Sequence, residues 1–351
     1  MVNNSLKYLS AFSLPVMALG AFYFKGWLSF LPLIYAFGLI PLIELALKPN
    51  PRNLTRSEAD LVENDRVYDW LLYFTIPVQW GFVVYFLFTL SHHSLQPYET
   101  VGLITSMGIL CGIFGINVGH ELGHRKSKQE QLLAKILLLS SLYLHFFIEH
   151  NRGHHKRVST HEDPASARIG ESLYLFWPRS LIYSYLSAWK LEINRLKKYQ
   201  NNWLFWRNEM LWYQFIQAAL LGVLIYVFGL IATLYFVIAT LVGMLLLETV
   251  NYIEHYGLSR KINKQGRYEK VAHSHSWNSN HVVGRLMLFE LSRHSDHHYK
   301  ASKKYQLLNH HDNSPQMPTG YPGMMLLALI PPLWFWLMHQ KIENTQPLVT
   351  S

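Results

Sequence analysis

The sequence of 351 residues contains 19 histidines; eight of them fall in three short groups with regular spacing, and a ninth, His255, stands alone at the end of an apolar run. On a helix, residues three or four apart share a face, so the imidazoles of one group point to the same place. Neutral imidazole binds iron, zinc, copper and nickel. Nine ligands are too many for one ion and suit two ions with positions left open for oxygen. The sequence therefore predicts a two-metal site held by His120, His124, His150, His154, His155, His255, His294, His297 and His298.

Acidic residues stand beside several of these histidines in the sequence. A metal-bound imidazole usually donates its second N–H group to a carboxylate or a carbonyl, which orients the ring. Five carboxylates are therefore predicted to support the ligands: Glu121, Glu149, Asp163, Glu254 and Asp296. A carboxylate can also bind a metal directly, and Asp163 and Glu254 are the two best placed for that alternative.

The elements that position this site must be largely apolar, because half of the chain is hydrophobic and only 15% of its residues are charged. Soluble domains carry about 25% charged residues. The 11 Trp and 21 Tyr residues also suit a membrane protein, since both side chains favour the membrane–water interface. A single cysteine, Cys111, excludes a disulfide framework and a fused rubredoxin-type site, which needs about four thiolates.

Six runs are apolar and long enough to cross a bilayer as helices, which takes roughly 20 residues. These runs are residues 8–24, 28–47, 70–91, 100–119, 210–228 and 231–248. The predicted fold class is therefore an all-α integral membrane protein with six transmembrane helices and a histidine-rich cap.

Two further apolar stretches are predicted to lie at the membrane interface. Residues 131–148 cannot cross, because a crossing would place His124 and His150 on opposite sides of the membrane. Residues 322–338 are interrupted by Pro331 and Pro332, and proline breaks a helix.

Lysines and arginines are concentrated in residues 48–69, 120–209 and 249–321, whereas the opposite loops contain only Lys25 as a basic residue. The positive-inside rule then predicts that both termini and the histidine-rich loops are cytoplasmic. The expected division of the chain is 1–119 for transmembrane helices 1–4, 120–209 for the first two histidine boxes and the interfacial helix, 210–249 for helices 5 and 6, and 250–351 for His255 and the third histidine box.

The histidine groups lie within longer motifs that carry a family resemblance. These are residues 117–126 (NVGHELGHRK), 147–155 (FIEHNRGHH), 162–168 (EDPASAR), 251–258 (NYIEHYGL) and 291–298 (LSRHSDHH). With these motifs the chain resembles the integral-membrane, rubredoxin-dependent alkane 1-monooxygenases over most of its length. Ser292 departs from the more usual glutamine before Arg293, and this change touches none of the predicted ligands.

The resemblance implies a cofactor, a reaction and a partner. The cofactor would be two non-haem iron ions, without flavin, haem or nicotinamide. The reaction would combine a linear alkane, O2, two electrons and two protons to give a primary alcohol and water. The electrons would come from rubredoxin, itself reduced by rubredoxin reductase, and the enzyme would lie in the bacterial inner membrane. Nucleic acid is not expected as a partner, although the formal net charge is +9.

Two further sets of residues are predicted from this reaction. An alkane dissolves in lipid, so it should enter a narrow apolar channel from the bilayer, near Tyr35, Ala36 and Phe37. A small acidic electron donor should dock on basic cytoplasmic residues, with the candidates Arg125, Lys126, Lys156, Arg157, Arg293 and Lys300.

Three alternative functions share part of this pattern. Another membrane di-iron enzyme, such as a fatty-acyl desaturase or hydroxylase or a xylene-type monooxygenase, would use the same histidine arrangement. A membrane zinc protease would use His120-Glu121-x-x-His124, with Glu121 as the base, but would leave about six histidines without a role. A non-enzymatic metal carrier would place its histidines inside the spans, whereas these lie at the span ends.

Overall fold

The computed structural model describes residues 5–198 and 205–345. Within these residues the chain forms helices and connecting loops, and no strand occurs beyond two isolated bridges. The predicted all-α fold is thus confirmed.

Six helices of the described part are long and apolar enough to cross a membrane. In chain order these candidate spans are Leu6–Phe24, Gly26–Ala46, Val67–His92, Pro97–Gly123, Glu209–Phe228 and Leu230–His255. Each coincides with one of the six predicted apolar runs. At 1.5 Å per residue, the shortest, of 19 residues, is about 28 Å long and matches the hydrocarbon core.

Two of these spans continue past the apolar run into the histidine motifs. The fourth span carries His120, and the sixth ends at His255. Gly257 follows with a φ of 70°, a left-handed conformation that glycine adopts without strain and that commonly ends a helix. The helices therefore carry ligand candidates at their ends, directly on the transmembrane scaffold.

The chain divides into two compact units. The first consists of Met1–Leu39, Asn64–Gly153 and Tyr185–Leu247. Its centre is the fourth span, most of which is buried. A Cβ atom at Gly108 would lie 2.6 Å from the Val242 side chain, and one at Gly243 would lie 2.7 Å from Cβ of Cys111. Glycine at both positions allows the backbones of the fourth and sixth spans to approach closely.

The second unit consists of Ile40–Glu63, His154–Ser184 and Glu248–Ser351. Its core contains large aromatic side chains, among them Tyr252, Tyr256, Trp277 and Trp334. The indole N–H of Trp277 donates to the carbonyl oxygen of Tyr256 at 3.0 Å, and its backbone N–H donates to that of Glu254 at 2.8 Å. These bonds fix the loop around Trp277 against the end of the sixth span.

The remaining helices include the two stretches predicted to be interfacial. Residues 131–148 do not form one helix: Lys128–Leu139 has 12 residues, and a turn with Leu142 at a φ of 51° separates it from Phe146–Glu149. Twelve helical residues reach about 18 Å, too short for a crossing. The C-terminal stretch is split at Pro331 into Tyr321–Ala328 and Pro331–Thr345. The helix Leu173–Lys198, which is not among the candidate spans, was not predicted.

Candidate metal centre

In the first unit, three predicted ligands converge. The fourth span contains a π-helical segment, Cys111–Val118, just before the short α-helical turn that carries His120, and His124 follows that turn. Nε2 of His124 lies 3.1 Å from Nε2 of His150. The ring of His120 is 4.7 Å from that of His124 and 4.5 Å from that of His150, centre to centre. The first unit therefore presents three imidazoles to one point.

In the second unit, four histidines form a buried cluster, and one nitrogen of each lies within 4.8 Å of the others. These are His154, His255, His294 and His298. Nε2 of His154 is 3.3 Å from Nε2 of His298, and Nε2 of His255 is 3.3 Å from Nε2 of His294. A further pair, His155 and His297, brings its Nε2 atoms to 3.2 Å.

These separations fit a metal centre. Nitrogen ligands about 2.1 Å from a tetrahedral ion lie about 3.4 Å from one another. The four members of the buried cluster are all imidazoles, and none of them can neutralise another. A cation bound by the nitrogen lone pairs best explains why the four rings lie so close together. Imidazole nitrogen is also a suitable ligand for iron. The histidines that are present therefore fit the metal that the motifs predict.

The second nitrogen of His154 is held by a carboxylate. Nδ1 of His154 lies 2.9 Å from Oδ2 of Asp163, and Ser166 donates its hydroxyl to the same oxygen at 2.6 Å. With Nδ1–H donating, Nε2 of His154 carries the lone pair that faces the cluster. Burial disfavours the charged carboxylate, but the neighbouring imidazole and the hydroxyl outweigh it and keep the pKa of Asp163 below its usual value.

Glu254 occupies a different position. Its Oε2 lies 3.0 Å from Nε2 of His294, the same nitrogen that faces His255. Its Oε1 accepts a hydrogen bond of 2.6 Å from the hydroxyl of Tyr321. Glu254 therefore stands on the ligand side of His294, where it can either bind a metal or accept from the ring.

Burial also keeps two ligand candidates in the form that binds metal. It lowers the pKa of His297 to about 3 and the pKa of His298 well below its ordinary value. Both rings are therefore neutral at physiological pH and keep a free lone pair.

Sequence comparisons identify the family of the chain. The model of the fatty acid desaturase family matches residues 98–328, which is more than half of the chain. Alkane 1-monooxygenase 2 of Pseudomonas aeruginosa is 41% identical over 93% of this chain and 87% of its own length. Alkane 1-monooxygenase 1 of the same organism is 42% identical over 88% of this chain and 82% of its own length. The chain belongs to the alkane 1-monooxygenases.

A more distant relative bears on one alternative. The hydroxylase component XylM of xylene/toluene monooxygenase from Pseudomonas putida is 27% identical over 77% of this chain and 72% of its own length. The identity with alkane 1-monooxygenases is clearly higher, so the xylene-type alternative has less support.

The other predicted carboxylates have their own partners. Glu121 pairs with Arg125 at 2.9 Å, and Glu149 accepts from the hydroxyl of Ser187 at 3.3 Å. Asp296 accepts from Lys303 at 2.5 Å and from the backbone N–H of Asn309 at 2.7 Å. The support of metal ligands by Glu121, Glu149 and Asp296 stays a prediction.

The structure differs from the sequence expectation for two basic residues. Arg125 is buried and pairs with Asp69 at 3.2 Å as well as with Glu121. Arg293 is also buried and donates to the carbonyl oxygens of Leu308 and Arg52 at 2.6 and 2.7 Å. Neither guanidinium is available at a surface, so both leave the set of docking candidates. Lys126, Lys156 and Lys300 are exposed, and Arg157 is half-buried.

The predicted substrate residues lie on a distorted turn of the second span. Tyr35, Ala36 and Phe37 belong to the π-helical segment Tyr35–Leu39. Ala36 is buried, while the hydroxyl of Tyr35 is 2.7 Å from that of Ser13 on the first span. A π-helical turn widens a helix locally and is frequent at functional sites.

Two contacts made by predicted site residues could not be foreseen from the sequence. Tyr321 is 67 positions from Glu254, and the sequence offers no signal for their bond. His311 stands in a polar segment typical of a surface, yet its Nε2 lies 3.0 Å from Oδ1 of Asp296. The apolar run around Tyr321 hinted at burial but not at a partner.

Proposed function

We propose that this protein is a membrane alkane 1-monooxygenase with two iron ions. It would hydroxylate the terminal carbon of a linear alkane to a primary alcohol. The observation that carries the proposal is the buried cluster of four histidines in the second unit, in a chain about 40% identical to alkane 1-monooxygenases. One iron would be held by His154, His255, His294 and His298.

The second iron is proposed from the ligand count, because nine imidazoles are too many for one ion. The five histidines outside the buried cluster are its candidate ligands. His120, His124 and His150 converge in the first unit, and His155 pairs with His297 in the second.

The protein's own residues would prepare and protect this site. Iron bound there supplies the redox chemistry that activates O2 and hydroxylates an unpolarised C–H bond, which acids and bases alone cannot break. Asp163 would keep His154 in the tautomer that leaves the lone pair of Nε2 free to bind iron. Burial of the four clustered histidines limits the access of water.

The substrate would reach the site from the lipid. Alkanes partition into the bilayer, and the second span exposes apolar side chains such as those of Leu42 and Ile34. The π-helical turn with Tyr35, Ala36 and Phe37 would limit the length of chain that fits. A narrow channel would favour the terminal methyl group over inner methylenes by geometry.

Rubredoxin, reduced by its reductase, would supply the electrons on the cytoplasmic side of the inner membrane. The proposed docking residues are the exposed Lys126, Lys156 and Lys300 together with Arg157. A positive surface speeds association with an acidic partner, and salt weakens that effect. Electron-transfer rates should therefore fall as salt is added, and rates independent of salt would contradict this docking surface.

The central experiment measures metal and product together. Protein purified in detergent should contain two irons per chain and, with rubredoxin, its reductase, O2 and octane, should form 1-octanol. His255→Ala should lose iron and activity, whereas the control His92→Ala, at the exposed end of the third span, should keep both. One zinc without iron would favour a protease, and turnover of an acyl thioester instead of octane would favour a desaturase.

A further inference from the structure

A second group of candidate metal ligands lies in the second unit apart from the nine histidines. It consists of His273, Asp296 and His311, whose ligand atoms lie within 4.8 Å of one another. Nε2 of His311 is 3.0 Å and Nε2 of His273 is 3.7 Å from Oδ1 of Asp296. Ligands of one tetrahedral ion are separated by about 3.4 Å, and these two distances lie on either side of that value.

The two histidine rings are held side by side with their nitrogens toward the same oxygen. Their centres are 3.6 Å apart and their planes differ by 21°, so they are stacked. The ring of Tyr299 lies 4.3 Å from the ring of His273 and fixes it further. Because both rings are fixed by stacking, their shared direction does not depend on a flexible side chain. Such fixed positions favour binding, since little order must be gained when a ligand arrives.

One ring nitrogen of the group lacks a good hydrogen bond within the protein. Nε2 of His273 is buried, and its 3.7 Å separation from Asp296 is too long for a good hydrogen bond. Two imidazoles that face one carboxylate oxygen, with one nitrogen left in this state, match a site for a cation better than a closed hydrogen-bond network.

Asp296 also carries a lysine partner. Lys303 lies 2.5 Å from Oδ2, the carboxylate oxygen that does not face the histidines. Lys303 thus neutralises the carboxylate but leaves Oδ1 directed at the two rings. The same positive charge should weaken the binding of a cation at Oδ1.

We propose that His273, Asp296 and His311 form a third metal site, which takes a divalent transition cation of the zinc type. Two imidazoles and one carboxylate, completed by water, are a common ligand set for such ions. The side chain of His311 is 30% exposed, whereas the clustered histidines of the iron site are buried, so this site can load from solvent. The proposal does not depend on the reaction of the enzyme.

The cation would tie together three separate parts of the second unit. His273 begins the short helix His273–His275, and Asp296 lies on the helix His294–Tyr299. His311 lies in the loop after the next short helix, Tyr305–Leu307. The helix His294–Tyr299 also carries three of the nine predicted iron ligands. Binding should therefore make this part of the protein more resistant to heat.

Zinc binding to the full-length, iron-loaded protein in detergent tests the proposal. Wild type should bind one zinc more than His273→Ala or His311→Ala. If a variant still binds zinc at this site, its affinity should be at least about tenfold lower than that of wild type. Loss of a residue that only orients a ligand already lowers metal affinity by about that factor. The matched control is His310→Ala, since Nε2 of His310 contacts Asp312 at 3.1 Å outside the group. It should bind zinc as wild type does.

Further measurements separate the possible outcomes. Lys303→Met should bind zinc more tightly than wild type, and zinc should raise the thermal midpoint of wild type but not of His311→Ala. Iron content measured in the same samples must stay constant. Equal zinc binding by wild type and His311→Ala would overturn the proposal, as would zinc uptake matched by loss of iron, which would place the zinc among the nine histidines.

Discussion

Asp163 Oδ2 lies 2.9 Å from Nδ1 of His154, and both side chains are almost completely buried. His154 belongs to the buried cluster of four histidines, so this contact joins a carboxylate to a predicted metal ligand. It fixes which nitrogen of the ring carries the proton. Asp163 would therefore act on a bound metal through the imidazole of His154.

Asp163→Asn should weaken iron binding about 10- to 100-fold, which is the usual cost of losing a partner of this kind. The amide removes the charge and can present its NH2 group to Nδ1, which favours the wrong tautomer of His154. Competition with a chelator at neutral pH measures the loss. Asp312→Asn is the control, because Asp312 is fully exposed. Unchanged iron affinity in Asp163→Asn would show that the contact is only structural.

Tyr321→Phe should lower the stability of the protein by about 1–3 kcal/mol, because it leaves a buried carboxylate oxygen without its donor. The hydroxyl of Tyr321 donates to Oε1 of Glu254 at 2.6 Å, and both residues are buried. Thermal unfolding in detergent, with and without iron, measures the effect. The exposed Tyr299 supplies the control as Tyr299→Phe. Equal midpoints for the two variants would rule out a role for the bond in stability.

His145 should make the stability of the protein depend on pH. Burial lowers its pKa to about 4, compared with roughly 6.5 in an unfolded chain. Between these two pH values only the unfolded state binds a proton at His145, so protonation favours unfolding. The folded protein therefore has its full stability above about pH 6.5 and loses stability as the pH falls toward 4. At pH 5 the loss is about 2 kcal/mol.

His145→Phe should therefore be less sensitive to acid than wild type. The thermal midpoint of both proteins, measured from pH 8 to pH 5, gives the comparison. The exposed His93 provides the control, since His93→Phe should follow the wild-type curve. A variant of His145 that loses stability as steeply as wild type would contradict the assigned cause.

Ala36→Trp should shorten the alkanes that are accepted, because a large side chain would fill space at the buried face of the second span. Ile34 is exposed on the same span, so Ile34→Trp is the matched control and should not alter the preference. Product yields across a series of alkanes from short to long measure the change. An unchanged profile in Ala36→Trp would remove this turn from the proposed channel.

The sequence by itself determined the class of the fold and the ligand types. The length and apolarity of a run are local properties of the sequence, so all six spans could be predicted, from the first run, 8–24, to the last, 231–248. The predicted runs agree with the helices of the structure. Spacing along a helix is also local, so the histidine boxes could be recognised, and the motifs around them indicated the family.

Only the tertiary structure decided which of these residues meet. The bond of Tyr321 to Glu254 and the stacking of His273 on His311 join positions far apart in the chain, and no local pattern encodes them. The ion pair of the buried Arg125 with Asp69, on the third span, likewise joins segments that are distant in the sequence. Burial and partnership arise from the packing of distant segments, whereas helix formation and spacing arise from neighbours in sequence.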